Sequence, residues 1–246
     1  MKKIIALVLV VAMSVCLFTA CGSSASSGSG ASGEKETEKK EVSWEVGEGS
    51  AKMWKDSIGA SWVQIIVPVV NNGSKNLYLS TGKVDLEDTN GKLVKSCDMV
   101  NSYPDIIQPG ETGYYYNETT LDGVDVQELK VVPHFDVKES KRDCIRLDIS
   151  EVSVKNNELL GHVMGISVDG RVENKTSEEQ KMVYVSANFF DADKKLIGHA
   201  FTIMTDDIAA GDKIGFSMNT LSTLDGLTAD NIASYEVIAY PLQMQF

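Results

Sequence analysis

Apolar residues in this chain fall in short runs, not in helical stripes. Trp62-Val63-Gln64-Ile65-Ile66-Val67, the stretch from Asp148 to Val154, and Met182 to Phe189 are rich in β-branched and aromatic residues. Tyr235 to Tyr240 alternates polar and apolar side chains, and so does Val42-x-Trp44-x-Val46. Such segments fit a pleated, half-buried surface and predict strands. Asp88-Thr89-Asn90-Gly91 and Pro109-Gly110 predict turns, because Asn and Gly tolerate positive φ. Asp191-Ala192-Asp193-Lys194 holds the same place in the second half without its Gly. No segment sustains a 3.6-residue apolar period. Short strands without interleaved helices predict an all-β chain of sandwich type.

The pattern repeats. Asn71 is followed 17 residues later by Asp88, and Asn174 is followed 17 residues later by Asp191, so both pairs are offset by 103. Ile107-Gln108-Pro109-Gly110-Glu111 corresponds to Ile208-Ala209-Ala210-Gly211-Asp212, and five residues past each Gly stands Tyr115 or Phe216. Thr120-Leu121-Asp122-Gly123 is answered by Thr223-Leu224-Asp225-Gly226. Agreement at several separated places predicts a duplicated unit of about 100 residues, an ordinary domain size. The expected bounds are 44–138 and 143–246. The polar run Lys138-Glu139-Ser140-Lys141-Arg142-Asp143 is the expected junction, and its shortness predicts that the halves touch.

The first 20 residues read differently. Met1-Lys2-Lys3 is basic, Ile4 to Phe18 is almost unbroken apolar sequence, and Thr19-Ala20 are small. That is the layout of a secretory signal peptide, and the run is short for a permanent span of about 30 Å of hydrocarbon. Leu17-Phe18-Thr19-Ala20-Cys21 resembles the lipobox of bacterial lipoproteins. The resemblance implies diacylglyceryl transfer to the Cys21 sulfur and cleavage before it. Two or three fatty chains hold a protein stably at a membrane, each buried CH₂ contributing roughly 0.8 kcal/mol. From Cys21 to Ser43 the chain reads as a tether. Gly22 to Gly33 contains only Gly, Ser and Ala, and Glu34 to Glu41 is a mixed charged run. About 22 such residues have a typical end-to-end distance of roughly 25 Å.

Charge narrows the partners. Loss of Lys2 and Lys3 from the 23 basic residues leaves 21 against 35 acidic ones, a net charge of −14. Nucleic acid and anionic lipid repel such a surface, so no nucleic-acid partner is expected and the lipid on Cys21 must supply membrane attachment. The expected location is the outer face of a bacterial cytoplasmic membrane. Cleavage removes Cys16 and acylation consumes Cys21, leaving Cys97 and Cys144. In an exported protein these form either one disulfide across the junction or two separate thiols.

From Val168 to Phe216 the order is a strand with Gly170, then Asn174, a polar gap, a strand ending Phe189-Phe190-Asp191, a lysine turn, Leu196-Ile197-Gly198, and finally Gly211 with Phe216. This resembles the FxLYD-type domains of bacterial exported proteins. Lys194 replaces the turn Gly of that pattern, and the first half keeps Gly91 but has Leu86-Glu87-Asp88 for the aromatic pair. The resemblance implies two tandem immunoglobulin-like β-sandwich domains. It places Asn174, Asp191 and Gly211 in turns, puts Phe189, Leu196 and Phe216 in a core, and carries no catalytic set.

No chemistry stands out elsewhere. His134, His162 and His199 are far apart in sequence and form no HxH or HxxxH pair, so neither a metal nor another cofactor is expected. There is no GxSxG nucleophile motif and no calcium loop with its closing Glu. The sequence therefore predicts a non-enzyme. Tyr114-Tyr115-Tyr116 is the unusual feature. In a strand, Tyr115 faces one side while Tyr114 and Tyr116 face the other. Tyr114 and Tyr116 are candidate recognition residues, with packing between the two halves as the alternative. Trp44 and Trp54 are further candidates, while Trp62 is expected in a core. The expected role is a binding or accessory module for an envelope protein or cell-wall ligand. The alternatives are a structural spacer or a small-molecule-binding lipoprotein.

Overall fold

The computed structural model describes residues 41–56, 58–121, 126–159, 162–220 and 227–242, and it is an all-β fold of several small antiparallel sheets. In chain order the strands are β1 (Trp44–Val46), β2 (Ser50–Lys55), β3 (Ser61–Asn71), β4 (Leu77–Leu79), β5 (Gly82–Glu87), β6 (Leu93–Tyr103), β7 (Ile106–Ile107) and β8 (Thr112–Thr120). There follow β9 (Lys130–His134), β10 (Val137–Glu139), β11 (Asp148–Leu159), β12 (His162–Glu173), β13 (Val183–Phe190), β14 (Leu196–Met204), β15 (Lys213–Asn219) and β16 (Ser234–Pro241). Among the described residues the one helical element is a 3₁₀ turn at Ala229–Asn231.

The first half builds a seven-stranded sheet in the order β1-β3-β8-β6-β5-β9, with β2 also on β3, and a small sheet β10-β4-β7. The second half builds two three-stranded sheets, β11-β12-β15 and β14-β13-β16. Each half buries its own apolar cluster. Val63, Ile65, Val67 and Val69 of β3 meet Leu77, Val84, Leu86, Cys97 and Tyr115 in one. Ile166, Val168 and Val172 of β12 meet Val183, Val185, Ala187 and Phe189 of β13, with Phe216 and Ala239, in the other. Period-two alternation explains the membership: every second residue of β3 and of β13 faces its own core.

The two halves share one hydrogen-bond skeleton. Asn71 is fully buried; its Nδ2 donates to Lys75 O at 2.8 Å and Ile107 O at 3.1 Å, and its Oδ1 accepts from Gly73 N at 3.0 Å. Asn174 is also fully buried; its Nδ2 donates to Glu178 O and Ile208 O, both at 2.8 Å, and its Oδ1 accepts from Thr176 N at 3.0 Å. Asp88 Oδ1 accepts from Asn90 N and Lys92 N, and Asp191 Oδ1 accepts from Asp193 N and Lys195 N. The turn residue needing positive φ is Gly91 (φ 78) in one half and Lys194 (φ 63) in the other. Gly110 (φ 83) and Gly211 (φ 85) match likewise. Residues 122–125 and 221–226, which hold the repeated Asp-Gly pairs, lie outside the described residues.

Two expectations are corrected. The polar run beginning at Lys138 is not all junction, because Val137, Lys138 and Glu139 pair with Leu79, Tyr78 and Leu77. Strand pairing captures these polar residues, and the connection runs instead from Ser140 to Leu147. Trp62 does not fill the first core. It is half-buried on the opposite face of β3, stacks on Trp54 with centroids 6.1 Å apart, and donates its indole N–H to Asp56 Oδ2 at 2.9 Å. Parity decides this: Val63 and Ile65 point to the core, so Trp62 and Gln64 point away.

Candidate functional site

Tyr115 faces the first core as a fully buried residue; its hydroxyl donates to Ser80 O at 2.8 Å and its ring stacks on Phe135. Tyr114 and Tyr116 face the other way, but not toward solvent. Tyr114 is 7% exposed. Tyr116 lies 4.7 Å from the His199 ring and 6.0 Å from Phe201, while Tyr103, beside them on β6, lies 4.6 Å from Phe201 and 6.1 Å from Tyr184. The outer face of the β14-β13-β16 sheet therefore covers the tyrosine face of the first half. Of the two readings of Tyr114 and Tyr116, the structure has packing between the halves, with Tyr114 buried and Tyr116 half-buried against His199 and Phe201. Gln64 and Ile66 of β3 lie in the same layer at about one percent exposure.

This layer is apolar enough to change its ionisable groups. Burial pushes the Tyr103 hydroxyl up to about 12 and raises Tyr114 and Tyr116 as well. His199 is fully buried, and burial holds its pKa down at about 3. The ring is therefore neutral. Its Nδ1 donates to Asn188 Oδ1 at 2.7 Å, and its Nε2 has no hydrogen-bond partner among the described residues. Sequence reasoning missed His199, Phe201 and Tyr103. The available signal was the imperfect alternation of Met182 to Phe189, which marks a strand buried on both faces.

The other candidates are dispersed. Trp44 is 38% exposed at the edge of the first half on β1. Trp54 is partly buried and packs against the second core. Cys97 is a buried free thiol opposite Val84, and Cys144 is a half-buried free thiol beside Ile106 O, so the structure has two separate thiols and no bridge between them. Burial raises both thiol pKa values. Cys21 lies outside the described residues. No group of three or more His, Cys, Asp or Glu side chains able to hold a metal occurs among the described residues.

The connection between the halves builds a groove. Arg146 donates from Nε to Glu111 Oε1 at 2.9 Å and from Nη2 to Glu111 Oε2 at 2.7 Å, and Nη2 also reaches Ile106 O at 2.6 Å. A fork-to-fork pair of this kind fixes orientation as well as charge. Leu147 N–H then donates to Ala239 O at 2.9 Å, joining β11 to β16 at one point. Beyond it the strands part, β11 pairing with β12 and β16 with β13. The wedge between them is an open groove of about 410 Å³, lined by Glu111, Arg146, Leu147, Asp148 and Ile149 on one side and Glu236 to Ala239 on the other. Glu236 is exposed along part of its length. Partial burial of its carboxyl, with the like charge of Glu111, pushes its pKa above the usual carboxylate range. Glu236 has no ion pair among the described residues. No family model matches the chain, and no curated protein matches it.

Proposed function

We propose that the chain is an extracytoplasmic lipoprotein, held at a membrane by fatty chains on Cys21, whose two tandem immunoglobulin-like sandwiches of FxLYD type form a non-catalytic binding or accessory module. Support for the address is the lipobox-like Leu17-Phe18-Thr19-Ala20-Cys21 between an apolar run and a Gly/Ser/Ala tether. The groove at the connection between the halves carries the binding role, because it combines open strand edges with a partly desolvated carboxylate. Its occupant is an envelope protein or a cell-wall polymer. A Cys21→Ala variant should leave the membrane fraction after a salt wash; full retention would refute the anchor. A photocrosslinker placed at Ile238 in living cells should capture a partner that one placed at Lys213, on the opposite side of the second half's sheets, does not.

A second reading has its own support. Tyr114 and Tyr116 are consumed in packing, and the exposed large apolar side chains, such as Ile58, Leu93 and Met99, are scattered along the sequence. Scattered apolar residues are ordinary surface. That favours a structural spacer without a ligand, and equal capture from Ile238 and Lys213 would select it.

A further inference from the structure

β16 is paired with β13 along its length on one edge, but on the other its only backbone pairing among the described residues is with Leu147. Ala239 C=O points toward Leu147, so the period of two places the N–H and C=O of Val237 and Tyr235 on that same free edge. Leu147 N–H points back across the wedge, and Ile149 shares its parity on β11. Beyond the Leu147–Ala239 bond, the groove is walled by main-chain groups of Tyr235, Val237 and Ile149 that have no backbone partner among the described residues.

We propose that this groove takes an extended polypeptide segment that adds a strand along the free edge of β16 and carries a lysine or arginine opposite Glu236. The inference rests on the groove being the binding site. Main-chain pairing would supply affinity and the basic residue specificity, as in other cases of strand addition. The free edge from Tyr235 to Ile238, short of the Leu147–Ala239 bond, is long enough for about four residues at roughly 3.3 Å each. Charge selects the ligand's sign. Glu111 is engaged by Arg146, and Asp148 by Lys175 at 2.5 Å, so Glu236 is the lining carboxylate left without a cation. A side chain directly opposite it on an added strand has its Cβ about 5 Å away, within reach of an ion pair. Arg146, held by Glu111 and Ile106 O, is not free to receive an acidic ligand. A second copy of this chain fits poorly, since its own β16 would bring another Glu236 into an anionic groove.

The test uses the full mature chain and a labelled, blocked hexapeptide, Thr-Val-Lys-Val-Thr-Val, followed by fluorescence anisotropy. Tyr235→Pro and Val237→Pro each delete a groove-facing N–H that β13 does not use; Tyr235 is exposed, so its variant should stay folded even if Val237→Pro does not. Saturable binding is expected, weakened about tenfold by either proline and roughly threefold by Glu236→Gln, with loss when the probe's Lys becomes Glu. Absence of saturable binding by the unaltered chain would overturn the proposal. Binding weakened by Glu236→Gln but by neither folded proline variant would overturn strand addition while leaving the groove as the site. Binding indifferent to all three variants would overturn the groove itself.

Discussion

The two halves keep the same buried asparagine and the same aspartate turn but differ at their edges. In the first half, β6 pairs with β8 at Asn101–Tyr103, which merges its main strands into one seven-stranded sheet. In the second, the corresponding strands β14 and β15 form no ladder among the described residues, which build two separate three-stranded sheets. The corners differ too. Gly49, entering β2, sits so close to β9 that an added Cβ would lie 2.9 Å from Val131 Cγ1. At the matching place in the second half, β11 and β16 flank the groove. A shared hydrogen-bond skeleton thus sets the architecture, while individual side chains at the strand edges decide whether a surface is sealed or available.

The comparison can be broken most sharply at its shared part. Asn71→Ala and Asn174→Ala each strand two carbonyls and a backbone N–H inside the protein, and each should cost about 3–4 kcal/mol by urea denaturation. A clearly smaller loss at one site would show that the two skeletons are not energetically equivalent. Next comes the face on which the halves meet. Tyr116→Ala should cost about 3 kcal/mol, and its effect should overlap with that of Phe201→Ala instead of adding to it. Strict additivity would mean that the two rings act apart.

His199 gives a smaller effect with a definite sign. Its folded pKa of about 3 lies below the ordinary value of 6.5, so the stability it permits is complete above pH 6.5 and is lost as pH falls toward 3. The slope is about 1.4 kcal/mol per pH unit, or roughly 2 kcal/mol between pH 6.5 and 5. Glu236, with its raised pKa, acts in the opposite sense at lower pH. Urea midpoints at pH 7 and 5 should therefore differ for the unaltered chain and converge in His199→Gln. The smallest effect separates the two aspartate turns. Lys194 holds φ 63 where the first half has Gly91, so Lys194→Gly should stabilise the second half by about 0.5–1 kcal/mol. A measured loss would show that the Lys194 side chain makes a compensating contact.

Much of the molecule was legible in the residues themselves. The strands around Trp62, Asp148, Val183 and Tyr235, the turns at Asp88 and Asp191, and the 103-residue correspondence of Asn71 with Asn174 all rest on local rules: which residues pack on a pleat, which accept positive φ, and which amide side chains replace backbone partners. The candidate site was much less legible. Tyr114 and Tyr116 were correctly placed opposite Tyr115, but strand parity says only that a second face exists, not what covers it. His199 and Phe201 cover it from more than 80 residues away along the chain, and no local pattern encodes that distance. The groove is also a tertiary product, since Leu147 and Ala239 make one bond and the strands then follow different partners. Chain-local chemistry determined the elements and their repetition; burial between distant surfaces decided which faces closed and which edge stayed open.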